Sequence, residues 1–284
     1  MALTITQALL REQADLVQTL NLESAEARIE TQALLCHVLE ASKAYLIAHR
    51  EDNLTPAQES QFRALVERRL KGEPIAYILG EREFYSLPFK VTPAVLIPRP
   101  DTELLVELAL AHISQDQPFQ VLDLGTGSGA VAITIAKHRP FASVTAIDQS
   151  QEALSVARDN AARLGTENIT FLQSDWYQSI SAQKFDIIVS NPPYIAENDI
   201  HLQQGDLRFE PLTALASGDD GLSSIRTIVS GAKKHLISGG WLLFEHGYDQ
   251  AEACRALLNK YGFLQTASVC DLSKIQRVTL GRLP

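Results

Sequence analysis

Apolar residues recur at helical spacing through the first part of the chain. In "LTPAQESQFRALVERRL", Phe62, Leu65, Val66 and Leu70 make a single stripe. Thr55 as N-cap, Pro56 at the first helical position and Gln58 closing a capping box predict where that helix begins. "SAEARIETQALLCHVLEAS" repeats the pattern through Ile29, Leu34, Leu35, Val38 and Leu39. Polar breaks near Asn21, Ser42 and Asn53 separate the helices, so residues 1–80 are expected to form a separate helical bundle. The pattern then changes. "GEPIAYILGEREFYSLPFKVTPAVLIPRPDTE" is rich in proline, and within it "REFYSLPFKV" predicts two short strands joined near Leu87-Pro88. Residues 81–98 are accordingly expected to be a β-hairpin linker.

From residue 99 to 284 the periods alternate. "DTELLVELALAHI" reads as helix, "FQVLDLG" as strand, "GAVAITIAKHR" as helix, "SVTAID" as strand and "QEALSVARDNAARLG" as helix. "ITFLQSD" and "KFDIIVS" follow as strands, then a long irregular stretch, then "LSSIRTIVSGAKKHL", "GWLLFEHG" and "DQAEACRALLNKYG" as helix, strand and helix. This alternation predicts an α/β domain with a mostly parallel sheet covered by helices on both faces. "FLQTASVC" and "IQRVTLG" have no helix between them and are expected to be an antiparallel edge pair.

Net charge is −9, which disfavours nonspecific grip on long nucleic acids, and no stable nucleic-acid binding is expected. Cys36, Cys254 and Cys270 form no CxxC pair and are expected to be buried free thiols of a reducing compartment. The N-terminus has no basic segment followed by an apolar one, and no run is long enough to span a membrane. A cytoplasmic location is the expectation. His112, His201 and His246 lack metal-ligand spacing, and no metal is expected.

Four motifs close successive strands. In "VLDLGTGSGA", Asp123 leads into Gly125, Gly127 and Gly129, glycines that let the backbone turn sharply and approach a ligand at a helix N-terminus. The spacing is GxGxG rather than the GxGxxG of a dinucleotide fold. Asp148, ending "SVTAID", suits two ribose hydroxyls, or else caps the next helix, a role open to Ser150. In "QSDW", Asp175 suits an adenine amino group and Trp176 a stacked ring. "SNPPY" offers the Asn191 side-chain carbonyl and a Pro192 carbonyl aimed by two fixed φ angles. Two such acceptors, with Tyr194 packed over them, grip a planar group bearing an NH2.

"DLGTGSG", "AID" and "NPPY" in this order resemble the class I S-adenosylmethionine-dependent methyltransferases, with their Rossmann-like sheet. The flanking "GEPIAYILGEREFYSLPFKVTPAVLIPRPDTELLV" and "RFEPLTALASGDDGL" look like the PrmC/HemK family of protein-(glutamine-N5) methyltransferases, which act on class I peptide chain release factors. The resemblance implies that Asp123, Gly125, Thr126, Gly127, Ser128, Gly129, Asp148, Asp175, Trp176 and Asn191 hold S-adenosylmethionine. It likewise implies that Asn191, Pro192, Pro193 and Tyr194 hold the glutamine amide, with Asn191, Pro192 and Tyr194 catalytic. The helical bundle and the hairpin are expected to dock the substrate protein, since the crevice needs only one extended loop. A glutamine methyltransferase of a large-subunit ribosomal protein shares this core. A nucleic-acid base amine methyltransferase and a catalytically silent nucleoside-binding module are the more distant readings. The stretch after Tyr194, with Arg208, Glu210 and Pro211, is expected to close over the substrate. Arg99 is expected to touch that loop or the cofactor, and Asp101 or Thr102 to cap a helix.

Overall fold

The computed structural model describes residues 2–284, which divide into two compact units, residues up to Gly80 and Glu81–Pro284. The first unit is five helices: α1 (Ile5–Leu20), α2 (Ser24–Leu39), α3 (Lys43–Ala48), α4 (Pro56–Leu70) and α5 (Ile75–Leu79). Thr4 and Thr55 both close capping boxes, with Gln7 and Gln58. Each box satisfies two orphan donors and contributes about 1 kcal/mol. The apolar faces meet in one core containing Leu16, Leu34, Leu35, Phe62 and Val66. Ile29 is not part of it and stands 53% exposed. The buried face of α2 carries Ala27, Glu30, Thr31, Leu34 and Leu35 instead. Glu30 is tolerated there because Arg69 of α4 meets it at 2.8 Å, both side chains being buried.

In the second unit β1 (Glu81–Phe84) and β2 (Leu87–Lys90) form an antiparallel hairpin. The turn is at Tyr85-Ser86, both left-handed at φ 52 and 60, and not at Leu87-Pro88. Pro88 lies inside β2 opposite Glu83, where a two-stranded ribbon leaves an open edge that needs no N–H. The hairpin is built into this unit rather than linking it. Phe84 and Phe89 are fully buried in its core, and Asn160 accepts from Lys90 N at 2.7 Å.

The remaining elements are α6 (Glu103–His112), β3 (Phe119–Leu124), α7 (Ala130–His138), β4 (Ala142–Asp148), α8 (Gln151–Arg163), β5 (Ile169–Gln173), β6 (Phe185–Ser190), α9 (Ser223–His235), β7 (Leu236–Glu245), α10 (Ala251–Lys260), β8 (Leu264–Cys270) and β9 (Gln276–Arg282). The sheet order is β5-β4-β3-β6-β7-β9-β8. The first five strands of that order are parallel, and β9 runs antiparallel to both its neighbours. The antiparallel pair at the edge is therefore as expected, with β9 inserted between β7 and β8. One apolar cluster covers each face of the sheet. Trp241 on β7 lies with its ring 4.3 Å from that of His112. The chain direction across the sheet reverses at β3, which lies between β4 and β6, so a crevice opens beyond the ends of β3 and β6.

Of the three free thiols only Cys254 is buried; Cys36 is half-buried and Cys270 exposed on β8. Among the described residues no helix is long and apolar enough to cross a membrane.

Candidate active site

The crevice holds a cavity of about 440 Å³. Its wall includes Asp123, Gly125, Thr126, Gly127, Ser128, Asp148, Asp175, Trp176, Asn191 and Pro193, so most residues singled out from sequence come together here. Gly129 does not line it. Its place is behind the loop, where an added Cβ would stand 2.6 Å from Ile133 Cδ1 and 3.2 Å from Ala157 Cβ. Pro192 and Tyr194 face a second, smaller cavity of about 60 Å³ with Leu96, Arg99, Leu207 and Leu215. Asn191 lines both cavities.

The glycine turn is laced to the end of β4. Gly125 N and Thr126 N donate to Ile147 O at 2.9 and 2.8 Å, and Gly127 N donates to Asp148 Oδ2 at 2.9 Å. Gly125 and Gly127 sit at φ +75 and +56, and beside Gly127 there is open space where a side chain would stand. Asp148 is not the cap of α8; Ser150 is, accepting from Ala153 N. The Asp148 carboxylate instead ties the glycine turn to Ser150 N, and burial holds its pKa above the ordinary value. Asp123 is 1% exposed, and its Oδ2 has no hydrogen-bond partner. Burial pushes the Asp123 carboxyl up to about 7, and Asp148 adds to the push. Trp176 adopts φ 48, its carbonyl accepting from Ser174 Oγ at 2.7 Å. Its indole lies along the glycine turn, 3.9 Å from where a Cβ of Gly125 would be. Asp175 accepts from Gln178 Nε2 at 2.7 Å.

At the other end, Asn191 Nδ2 donates to Thr102 Oγ1 at 3.0 Å, and Thr102 Oγ1 donates to Glu245 Oε2 at 2.7 Å. The Tyr194 hydroxyl donates to Glu245 Oε1 at 3.2 Å. Burial, and then the Glu245 carboxylate, raise the Tyr194 phenol above its ordinary range. Burial pushes Glu245 itself up to about 7, with Thr102 and Tyr194 pulling the other way. Thr102 opens α6 without a side-chain capping bond, and Asp101 reaches Arg277 at 3.5 Å, so neither caps a helix as the sequence suggested.

The long stretch after Tyr194 forms three single turns, Ile200–Gln203, Gly205–Phe209 and Leu212–Ala214. Gln250 Nε2 donates to Tyr194 O at 3.0 Å and Ile195 bridges to Ala216, which fixes both ends. Glu210 is an internal anchor: it is buried, accepts from Ile97 N at 2.9 Å and pairs with Arg99. Arg99 thus contacts the loop. Among the described residues no group of three His, Cys, Asp or Glu is placed to hold a metal ion.

Three parts of the site lie outside the four strand-end motifs and were not singled out as cofactor or substrate residues. They are Thr102, Glu245 and the Pro93–Pro98 segment, which walls the larger cavity through Pro93, Ala94, Val95, Leu96 and Pro98. The dense prolines were the signal for the last, and a lone acidic residue closing an apolar strand was the signal for Glu245.

Residues 101–207 match the family model described as Methyltransferase small domain, and residues 9–80 match PrmC N-terminal domain. A release factor glutamine methyltransferase of Bordetella pertussis is 52% identical over 90% of this chain and 95% of its own length. One of Escherichia coli K12 is 48% identical over 91% of this chain and 93% of its own. The solved structure of a Thermus thermophilus 16S rRNA N2 G1207 methyltransferase, in complex with AdoMet and guanosine, has the same fold. Its TM-score is 0.54 at 19% identity, over 72% of this chain and 50% of that one. A ligand-ready crevice at a sheet reversal, on a chain half identical to these enzymes along nearly its whole length, places this protein in the release factor glutamine methyltransferase family, a family of S-adenosylmethionine-dependent protein-glutamine methyltransferases.

Proposed function

We propose that the chain methylates the side-chain amide nitrogen of the glutamine in the Gly-Gly-Gln loop of class I release factors. The larger cavity takes S-adenosylmethionine and the smaller one the glutamine side chain. The observation that carries this division is Asn191, which lines both cavities with Leu96 and Ala214 and is the polar side chain among the three, beside the Pro192 and Tyr194 of the smaller one.

The residues of the larger cavity fit the cofactor. Its volume of about 440 Å³ falls within the range of small-molecule sites. Asp148 spends one acceptor position of each oxygen on Gly127 N and Ser150 N, which leaves the others for ribose hydroxyls. Asp123 Oδ2, buried and without a partner, suits a cationic or hydrogen-bond-donating group such as the amino acid end of the molecule. Trp176 and Ile147 give a flat apolar wall for a base, with Asp175 beside it. Gly125, Thr126, Gly127 and Ser128 supply the turn, and Gly129 lets that turn pack on α7 and α8.

When bound, the cofactor supplies an electrophilic methyl group on sulfur. An amide nitrogen is a poor nucleophile because its lone pair is shared with the carbonyl, so orientation matters more than activation. Asn191 Oδ1 and the Pro192 carbonyl accept the two N–H bonds of the glutamine amide. They align its nitrogen and favour the positive charge that develops there. One proton then leaves the nitrogen for water. Two prolines fix the carbonyl directions, and Tyr194, held by Glu245 and Gln250, keeps the run from shifting.

Residues 1–80 are assigned the docking of the factor, using exposed apolar side chains that include Leu10, Tyr45 and Ile47. Ile47→Asp with Leu10→Asp is expected to raise KM for the whole factor and leave KM for a short Gly-Gly-Gln peptide unchanged. A release factor as substrate supports a cytoplasmic location.

The direct test incubates the chain with labelled S-adenosylmethionine and release factor, then maps the product by mass spectrometry. One added CH2 on the Gly-Gly-Gln glutamine is expected. Methylation of a ribosomal protein instead, or of no protein, would overturn the proposal. Asn191→Ala is expected to lower turnover by a factor of about 10²–10³ while cofactor affinity stays within about twofold.

A further inference from the structure

Thr102 and Glu245 are 143 residues apart and belong to none of the four strand-end motifs, yet both are buried behind Asn191. A hydroxyl has one proton to give. That of Thr102 goes to Glu245 Oε2 at 2.7 Å, so the Thr102 oxygen is left as an acceptor. Only an N–H can face it, and Asn191 Nδ2 does, at 3.0 Å. The Asn191 carbonyl oxygen must then turn the other way, and no donor among the described residues reaches it. The second oxygen of the same glutamate takes the Tyr194 hydroxyl, so one carboxylate fixes both residues flanking the prolines.

We propose that Glu245, acting through Thr102, is the positioning residue that sets which end of the Asn191 amide meets the substrate. This rests on the reading of Asn191 as the acceptor for the glutamine NH2. With the oxygen outward the site accepts hydrogen bonds and takes an amide. A turned Asn191 would present its own NH2, repel the substrate donors and favour a carboxylate. The relay therefore serves selection of glutamine over glutamate as well as rate.

The relay has a direction only while the glutamate lacks a proton. Protonated Glu245 can donate to Thr102, which frees the Thr102 proton for Asn191 Oδ1 and turns the amide. Facing Glu245 are Thr102 and Asp101 from the start of α6, Tyr194 after β6 and Arg277 of β9. Burial outweighs Arg277 and brings the carboxyl up to about 7, so its charge changes near neutral pH.

Three variants of the full chain test this: Thr102→Val, which keeps shape and deletes the hydroxyl, Thr102→Ser, which keeps the hydroxyl and deletes the methyl, and Glu245→Gln. Cofactor affinity is read by calorimetry, and kcat and KM on release factor are read against pH. Thr102→Val is expected to lower kcat/KM by about 10- to 100-fold with cofactor affinity unchanged, and Thr102→Ser to recover most of that loss. With S-adenosylmethionine saturating, so that the Asp123 carboxyl, also raised to about 7, is engaged by the cofactor, the unmodified enzyme should lose kcat about tenfold per pH unit below about 7, and both Thr102→Val and Glu245→Gln should lack this limb. Serine weaker than valine would mark a packing role and overturn the proposal. So would a limb that persists in Glu245→Gln, a variant that retains the Thr102 hydroxyl. Absence of release factor methylation by the unmodified chain would instead defeat the function proposed above, independently of these ratios.

Discussion

Glu30 in the helical unit and Glu245 in the sheet unit are the same residue type, 7% and 2% exposed. They are handled in opposite ways. Glu30 meets the guanidinium of Arg69, itself buried, at 2.8 Å. Glu245 meets two hydroxyls, and the nearby Arg277 only moderates the effect of burial. The first arrangement cancels a charge and makes the bundle intolerant of losing either partner. The second keeps a carboxyl that changes state near neutrality, next to the amide at the junction of the two cavities. What separates a structural carboxylate from a functional one here is the partner, since burial is common to both.

The contrast can be broken most severely at Arg69. Arg69→Met removes the buried guanidinium that meets Glu30 and is expected to cost about 3–5 kcal/mol. The double variant Glu30→Leu/Arg69→Met should recover most of it, as scanning calorimetry would register. A single variant as stable as the parent would contradict the pairing. The next effect has the opposite sign. Because the folded pKa of Glu245 is raised, its contribution to stability is full below the ordinary carboxyl value and is lost as pH rises through about 7. Glu245→Gln escapes that loss. It should be no more stable than the parent near pH 4.5 and more stable by up to about 3 kcal/mol at pH 8, while losing activity. Equal gains at both pH values would refute the assigned pKa.

Arg99 with Glu210 is the intermediate case. Glu210 is buried, but the Arg99 side chain is 34% exposed, so solvent screens part of the attraction. Arg99→Met is expected to cost about 1 kcal/mol and to raise KM for the protein substrate with little change in kcat. A change in kcat alone would show that the loop does more than seat the substrate. The smallest effect is at the hairpin turn, where Ser86 is exposed. Ser86→Gly, at φ 60, should stabilise by a few tenths to about 1 kcal/mol, measurable in urea.

The cavity-lining motifs were legible because each closes a strand, and strand ends of an alternating α/β chain converge on one edge of the sheet. Asp123, the glycines, Asp148, Trp176 and Asn191 needed only that rule. The pairing of Thr102 with Glu245 was not legible, although Glu245 closes β7 as the motifs close their strands, because it depends on which strands are neighbours. Pairing of Ser190 with Phe244 brings Asn191 beside Glu245, and sequence periodicity carries no record of strand order. The hairpin turn was misplaced for a different reason. Proline is the strongest turn signal in that stretch, yet the left-handed positions fell to Tyr85 and Ser86, neither of which is the Gly, Asn or Asp that favours positive φ. Ile29 was assigned to the core because an apolar residue outranks a charged one by default. The Arg69 partner that lets Glu30 take the inner face lies 39 residues away.

The placement of the two tryptophans has an optical consequence. Trp176 lines the larger cavity and Trp241 sits in β7, and the helical unit has neither. Tryptophan emission is therefore silent about residues 2–80. It should respond when a ligand fills the cavity, through Trp176, and when the sheet comes apart, through both rings. A melting curve followed by emission alone describes one unit, and treating it as two-state would assign to the whole chain a stability that belongs to a part.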